Sequence, residues 1–144
     1  MTAPPLRIVL DTNVYISAAL HGRQAEAALQ LAAARQIVLL TSPTILAELE
    51  RKLTSKLGWS ENQVRLFIDT IRGVSDIVEP QQVLHVVPDD EDDNRIIECA
   101  VAGEAALIVT FDQDLLRLQS YETIGIISPR QLTFYRLDRN RDLE

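Results

Sequence analysis

The sequence predicts an α/β doubly wound domain, a parallel sheet with helices on both faces. Three observations carry that expectation. Short apolar runs, too brief to be core helices, recur at Leu6–Leu10, Ile37–Leu40 and Ala106–Val109. Segments with helical composition or helix-capping residues separate them. Two of the runs lead straight into acids, Asp11 directly and Asp112 after only Thr110 and Phe111.

Each element follows in order. Leu6–Leu10 reads as a buried parallel strand that ends at Asp11. Alanine and leucine dominate Val14–Leu20 and Gln24–Arg35, and His21-Gly22 divides them into two helices. Ile37–Leu40 is a second strand. Ser42 as N-cap and Pro43 as first helical residue open a helix to Lys56, closed by Leu57-Gly58-Trp59. Ser60 and Gln63 form a capping box for a helix ending near Gly73, and Ser75–Val78 is a strand before Pro80. After the acids at 89–93 comes a helix with Ile96, Ile97, Ala100 and Val101 at helical spacing, ending at Gly103. Ala106–Thr110 is a strand, followed by a short helix through Leu118, a strand at Ile124–Ile127, and a helix capped by Ser128-Pro129. The 144 residues fit a single domain over 1–135, with 136–144 expected to form a frayed tail.

Composition narrows the function. Fourteen Lys and Arg against 21 Asp and Glu leave a net charge of −7, which excludes holding polyanions by bulk charge alone. A single cysteine, Cys99, excludes a disulfide framework, and with two histidines it cannot build an ordinary structural zinc site. Met1–Pro5 has neither the cationic nor the apolar stretch of a signal peptide, and no apolar run approaches the ~18 residues of a membrane span. The expected compartment is the cytoplasm, without membrane association.

In doubly wound folds the ligand site lies beyond the carboxyl ends of the strands, where the strand order reverses. Asp11 and Asp112 then project into one crevice if their strands flank that point, although each also suits the cap of the following helix. Asp93, at a helix start after a loop, can reach the same end of the sheet. The run Asp89-Asp90-Glu91-Asp92-Asp93 suits a solvated loop ahead of a helix N-terminus. Carboxylates clustered on one cleft repel, however, and a divalent cation relieves that repulsion; Mg²⁺ and Mn²⁺ favour oxygen ligands and retain waters. On the helix after Ser42, the apolar stripe Ile45, Leu46, Leu49, Leu53 and Leu57 leaves Glu48 and Glu50 on opposite flanks. Periodicity alone does not choose between them.

Four segments together resemble the PIN domain family: Leu10-Asp11-Thr12-Asn13-Val14, Glu48-Leu49-Glu50-Arg51-Lys52-Leu53, Asp90–Ile97, and Ile108–Leu115. Their order and spacing span Leu6 to Leu132 and are most similar to prokaryotic toxin components of toxin–antitoxin systems, the VapC-like branch. The resemblance implies a Rossmann-like fold and a metal-dependent ribonuclease that cuts single-stranded RNA with Mg²⁺ or Mn²⁺. It matches Asp11 to the first catalytic and metal-binding acid and Asp112 to the acid of the Thr-x-Asp motif, with Asp114 as a secondary metal contributor. Glu48 matches the second acid because it precedes Leu49 and stands five residues before Leu53; Asp93 matches the third, three residues before Ile96. The family often carries Asp-Pro where this chain has Asp90-Glu91, which leaves Asp90 or Asp92 as stand-ins for Asp93. Thr12, Asn13 and Thr110 are expected to orient carboxylates or phosphate, and Arg51, Lys52 and Lys56 to supply a local basic strip for RNA. An antitoxin partner and a homodimer are further implications.

Rival plans fit less well. A haloacid-dehalogenase-like phosphatase wants a second Asp two residues after the first, where this chain has Asn13; a receiver domain wants a late lysine, and the last here is Lys56. The five glycines are too scattered for a phosphate-binding loop. The serious alternative is a catalytically silent PIN-like module that binds RNA or regulates. Cys99 reads as a core thiol, His21 and His85 as loop residues, and Trp59 as local packing.

Overall fold

The computed structural model describes residues 4–88 and 90–134. Alternation of short apolar runs with helices yields β1 (Leu6–Leu10), α1 (Thr12–Ala19), α2 (Arg23–Ala33), β2 (Ile37–Thr41), α3 (Pro43–Leu57), α4 (Glu61–Gly73) and β3 (Ser75–Ile77). Then follow α5 (Glu91–Ala102), β4 (Leu107–Val109), α6 (Gln113–Leu118), β5 (Ser120–Tyr121) and β6 (Ile124–Ile127), with residues 129–134 helical again. The expected tail at 136–144 and Asp89 lie outside the described residues.

The six strands form one sheet in the order β3-β2-β1-β4-β6-β5. Every pairing is parallel except that of β5 with β6, a two-residue edge hairpin that the sequence pattern does not announce. Ile8, Val9 and Leu10 are all fully buried. Because successive strand residues point to opposite faces, β1 must be covered on both sides, as a central parallel strand requires. From β1 the chain winds outward through β2 to β3, then returns to β4 and winds the other way to β6. The order therefore reverses between β1 and β4, whose ends lie in register with Leu10 opposite Val109.

Local chemistry sets the helix ends near the site. Ser42 caps α3 by accepting from the Ile45 N–H at 3.2 Å, with Pro43 supplying a pre-set helical φ at the first position. Gly58 stops α3 in the left-handed region at φ 65°, where its N–H and that of Trp59 close onto Thr54 and Leu53 carbonyls. The Ser60–Gln63 capping box forms reciprocally. Trp59 packs edge-on against Phe67 at 5.6 Å, the local role expected of it. Cys99 is buried in α5, where burial pushes its thiol up to about 12, and His21 and His85 lie outside the helices and strands.

Candidate active site

Two strand ends and three helix starts build the site. The Asp11 N–H continues the β1–β4 ladder by donating to the Val109 carbonyl at 3.0 Å. Its carboxylate is 5% exposed and receives one threonine hydroxyl on each oxygen. Thr110 Oγ1 donates to Oδ2 at 2.7 Å, and Thr12 Oγ1 donates to Oδ1 at 3.3 Å. Thr110 Oγ1 in turn accepts from the Asp112 N–H at 2.9 Å, which ties the two acid-bearing strand ends together. Asp112 also caps α6: its Oδ1 accepts from the N–H groups of Asp114 at 2.8 Å and Leu115 at 3.1 Å. The capping role open to both acids is thus taken up by Asp112, while Asp11 turns its oxygens to the two threonines.

The third element is α5. Asp90 caps it by accepting from the Asp93 N–H at 3.0 Å. Asp93 lies within the first turn, 4% exposed, with its Oδ2 buried and without a hydrogen-bond partner among the described residues. Asp90, Asp93 and Asp112 each place one carboxylate oxygen within 4.8 Å of the others. The electrostatics follow from this crowding. Burial, then the charges of Asp112, Asp90 and Asp11, push Asp93 up to about 8. Burial likewise raises Asp11, and the Thr110 hydroxyl and the Lys52 charge hold it back.

The fourth element, α3, brings Glu48 and Lys52. Glu48 is buried, whereas Glu50 is exposed, so tertiary packing separates the two flanks that periodicity left equivalent. Burial also raises Glu48, with the nearby Asp92 carboxyl adding to the shift and Lys52 opposing it. Lys52 Nζ lies 3.1 Å from Glu48 Oε1, donates to Thr12 Oγ1 at 2.9 Å, and reaches Asn13 Oδ1 at 3.4 Å. Through Thr12 it joins Glu48 to Asp11. Lys52 is therefore internal to the site, while Arg51 and Lys56 are exposed on the same helix. Asp114 stands at the rim, 55% exposed and paired with Arg117 at 2.8 Å. Of the expected stand-ins, Asp90 joins the carboxylate cluster and Asp92 lies exposed beside Glu48.

Asn94 has a part that sequence reasoning did not foresee. Its Oδ1 accepts from the N–H groups of Val86 at 2.9 Å and Val87 at 2.8 Å, and its Nδ2 donates to the Val87 carbonyl at 3.0 Å. This clamps the segment before Asp90 onto α5. A groove of about 690 Å³ lined by Glu50, Trp59, Arg65 and Arg72 contains none of the clustered acids.

The sequence and the fold have parallels among known proteins. Residues 7–114 match the PIN domain family. An uncharacterized protein of Methanocaldococcus jannaschii is 37% identical over 120 residues, covering 79% of this chain and 76% of its own. Among solved structures, VapBC2 from Rickettsia felis, bound to a DNA fragment from their promoter, superposes with a TM-score of 0.63 at 18% identity. That match covers 85% of this chain and 98% of the other, and is a likeness of fold. No described helix is long and apolar enough to cross a membrane. The chain belongs to the PIN domain family.

Proposed function

We propose that this protein is a Mg²⁺- or Mn²⁺-dependent endoribonuclease that hydrolyses phosphodiester bonds of single-stranded RNA. The observation that carries the reading is the buried, unpartnered Oδ2 of Asp93 within a cluster of carboxylate oxygens. Buried polar atoms are ordinarily satisfied, and an anionic oxygen among other anions calls for a cation. An all-carboxylate donor set suits a hard divalent ion and not zinc.

Asp90, Asp93 and Asp112 would hold the ion, with Asp11 beside them and Glu48 as the fourth acid of the family pattern. When bound, the ion supplies a water made nucleophilic near neutral pH and a counter-charge for the departing oxyanion. The protein's own residues do the positioning. Thr12 and Thr110 lock both oxygens of Asp11, and the α6 cap locks one oxygen of Asp112. Arg51 and Lys56, exposed on the helix that carries Glu48, offer cations to the RNA backbone, which a chain of net charge −7 needs for a polyanionic substrate. Asn13, exposed at the start of α1, offers a polar contact at the rim.

We further propose a toxin's place in a toxin–antitoxin pair, in the cytoplasm, with a protein antitoxin and a homodimeric assembly. The fold shared with the VapBC2 complex supports that proposal. An antitoxin-sized reading frame next to the gene, and a complex on co-expression, are the results expected.

The test of the activity is direct. Single-stranded RNA should be cleaved with Mg²⁺ or Mn²⁺ and spared on chelation. Asp93→Asn should lower turnover by about 100-fold or more while still binding RNA. RNA bound but never cleaved by the wild type, under every divalent ion tried, would replace this reading with the silent RNA-binding module.

A further inference from the structure

The carboxylates of the site fall into two groups with opposite needs. On one side stand Asp90, Asp93 and Asp112, which share a space of 4.8 Å and have no ion pair with any described lysine or arginine. On the other stands Glu48, which already has a cation. Lys52 reaches it from one helical turn away, with its side chain only 18% exposed. The ammonium donates to Thr12 Oγ1 and Asn13 Oδ1 at 2.9 and 3.4 Å, and forms an ion pair with Glu48 Oε1 at 3.1 Å, an oxygen that accepts no hydrogen bond among the described residues. Arg95 and Arg117 cannot serve the first group, because they are engaged with Glu98 and Asp114.

We infer that Lys52 is the site's built-in second cation, so that the protein binds a single divalent ion per chain on the Asp90–Asp93–Asp112 side. The inference rests on the metal-dependent reading above and adds to it the number of ions and the task of Lys52.

Two physical consequences follow. A hydrated divalent ion placed at Glu48 would have to displace an ammonium already held by two hydrogen bonds and the ion pair, or share the space with a like charge. Lys52 also positions Asp11 from a distance. By donating to Thr12 Oγ1, it leaves the Thr12 hydroxyl proton free to point at Asp11 Oδ1. Lys52 is thus a positioning residue that acts through Glu48 and Thr12. Removing its charge while keeping its apolar stem would free Glu48, with Asp92 beside it, as a second pair of carboxylates for a cation.

Titration calorimetry with Mn²⁺ alone tests this, with circular dichroism confirming the fold of each variant. The wild type should bind one Mn²⁺ per chain and Lys52→Met two, while the charge-conserving Lys52→Arg should stay at one. If Lys52→Met fails to fold, Glu48→Gln serves instead. It should keep the single Mn²⁺ with affinity unchanged within about threefold, whereas Asp93→Asn should lose it. Two ions on the wild type, a folded Lys52→Met that stays at one, or loss of Mn²⁺ by Glu48→Gln would each overturn the inference. Absence of any Mn²⁺ on the wild type would overturn the metal-dependent reading itself, a distinguishable failure.

Discussion

Asp93 and Asp11 show how two buried carboxylates, one at a helix start and one at a strand end, acquire different characters. Asp11 has a hydroxyl on each oxygen, so its charge is supported, whereas Asp93 has an oxygen with no partner and three acids around it. Without metal, Asp93 holds a proton up to about pH 8, while in the unfolded chain it releases that proton near 4. Between those values the native state binds more protons, so stability falls as pH rises across the window and levels off above it. The groups around Asp93 are Asp11 after β1, Asp90 before α5 and Asp112 after β4, all acidic. We expect the metal-free melting temperature to drop on the order of 5 °C from pH 5.5 to 8.5. Asp93→Asn should flatten that slope, raise metal-free stability near pH 8, and abolish stabilisation by Mn²⁺. An unchanged slope in the variant would show that Asp93 is not the group responsible. Thr110→Val probes the supported acid. It removes the 2.7 Å donor to Asp11 and the acceptor for the Asp112 N–H, and should cost about 2–3 kcal/mol, seen as a melting point lowered by roughly 5–10 °C.

At the scale of elements, α3 and α5 pack against each other and both carry side chains into the site. The α3 pattern was legible: Ser42, Pro43 and Gly58 mark its ends, and the apolar stripe is buried except for the half-covered Leu57. What the helix wheel left open was the choice of Glu48 over Glu50, since both flank the stripe and only the packing of α1 and α5 beside α3 decides which flank is enclosed. The start of α5 is held by more than its Asp90 cap. Asn94 satisfies one half-buried and one buried backbone donor and one acceptor of the segment leading into it. Asn94→Ala would strand these groups, at a cost on the order of 3 kcal/mol. The expected outcome is a melting point lower by about 6–12 °C, with faster amide exchange over residues 84–87 than elsewhere. Uniform destabilisation with no local change in exchange would count against the clamp.

At the scale of the whole molecule, the reversal of strand order between β1 and β4 puts Asp11 and Asp112 side by side, and α5 adds Asp93 above the same end of the sheet. A site that concentrates like charge costs stability in the free protein, and a cation that binds only the native state returns it. Mn²⁺ at about 100 times its dissociation constant should add roughly 2.7 kcal/mol, a rise of about 5–10 °C that a chelator reverses. Mg²⁺ should act in the same direction. A melting point indifferent to both ions would count against a metal centre. Because the net charge is −7, RNA affinity should weaken with salt only as steeply as a few local contacts require, and Arg51→Ala or Lys56→Ala should make that dependence shallower.

The sequence by itself determined the fold class, the order of the main elements, and the family. Short apolar runs, caps and glycine stops are local signals, and the physics that reads them acts over a few residues. It also set Asp11 directly after one apolar run and Asp112 three residues after another, which pointed both acids to strand ends. Tertiary structure alone decided the rest. It buried Glu48 and left Glu50 exposed, because enclosure of a helix flank depends on the neighbouring helices. It turned Asp11 to two threonines and Asp112 to a cap, because the in-register ends of β1 and β4 bring Thr110 within reach of both. It drew Lys52 out of the exposed strip expected of it and set its ammonium among three oxygens, two of them 40 and 39 residues away in the chain. Pairings over such distances leave no mark on local periodicity, because they exist only once the sheet has brought the strand ends together.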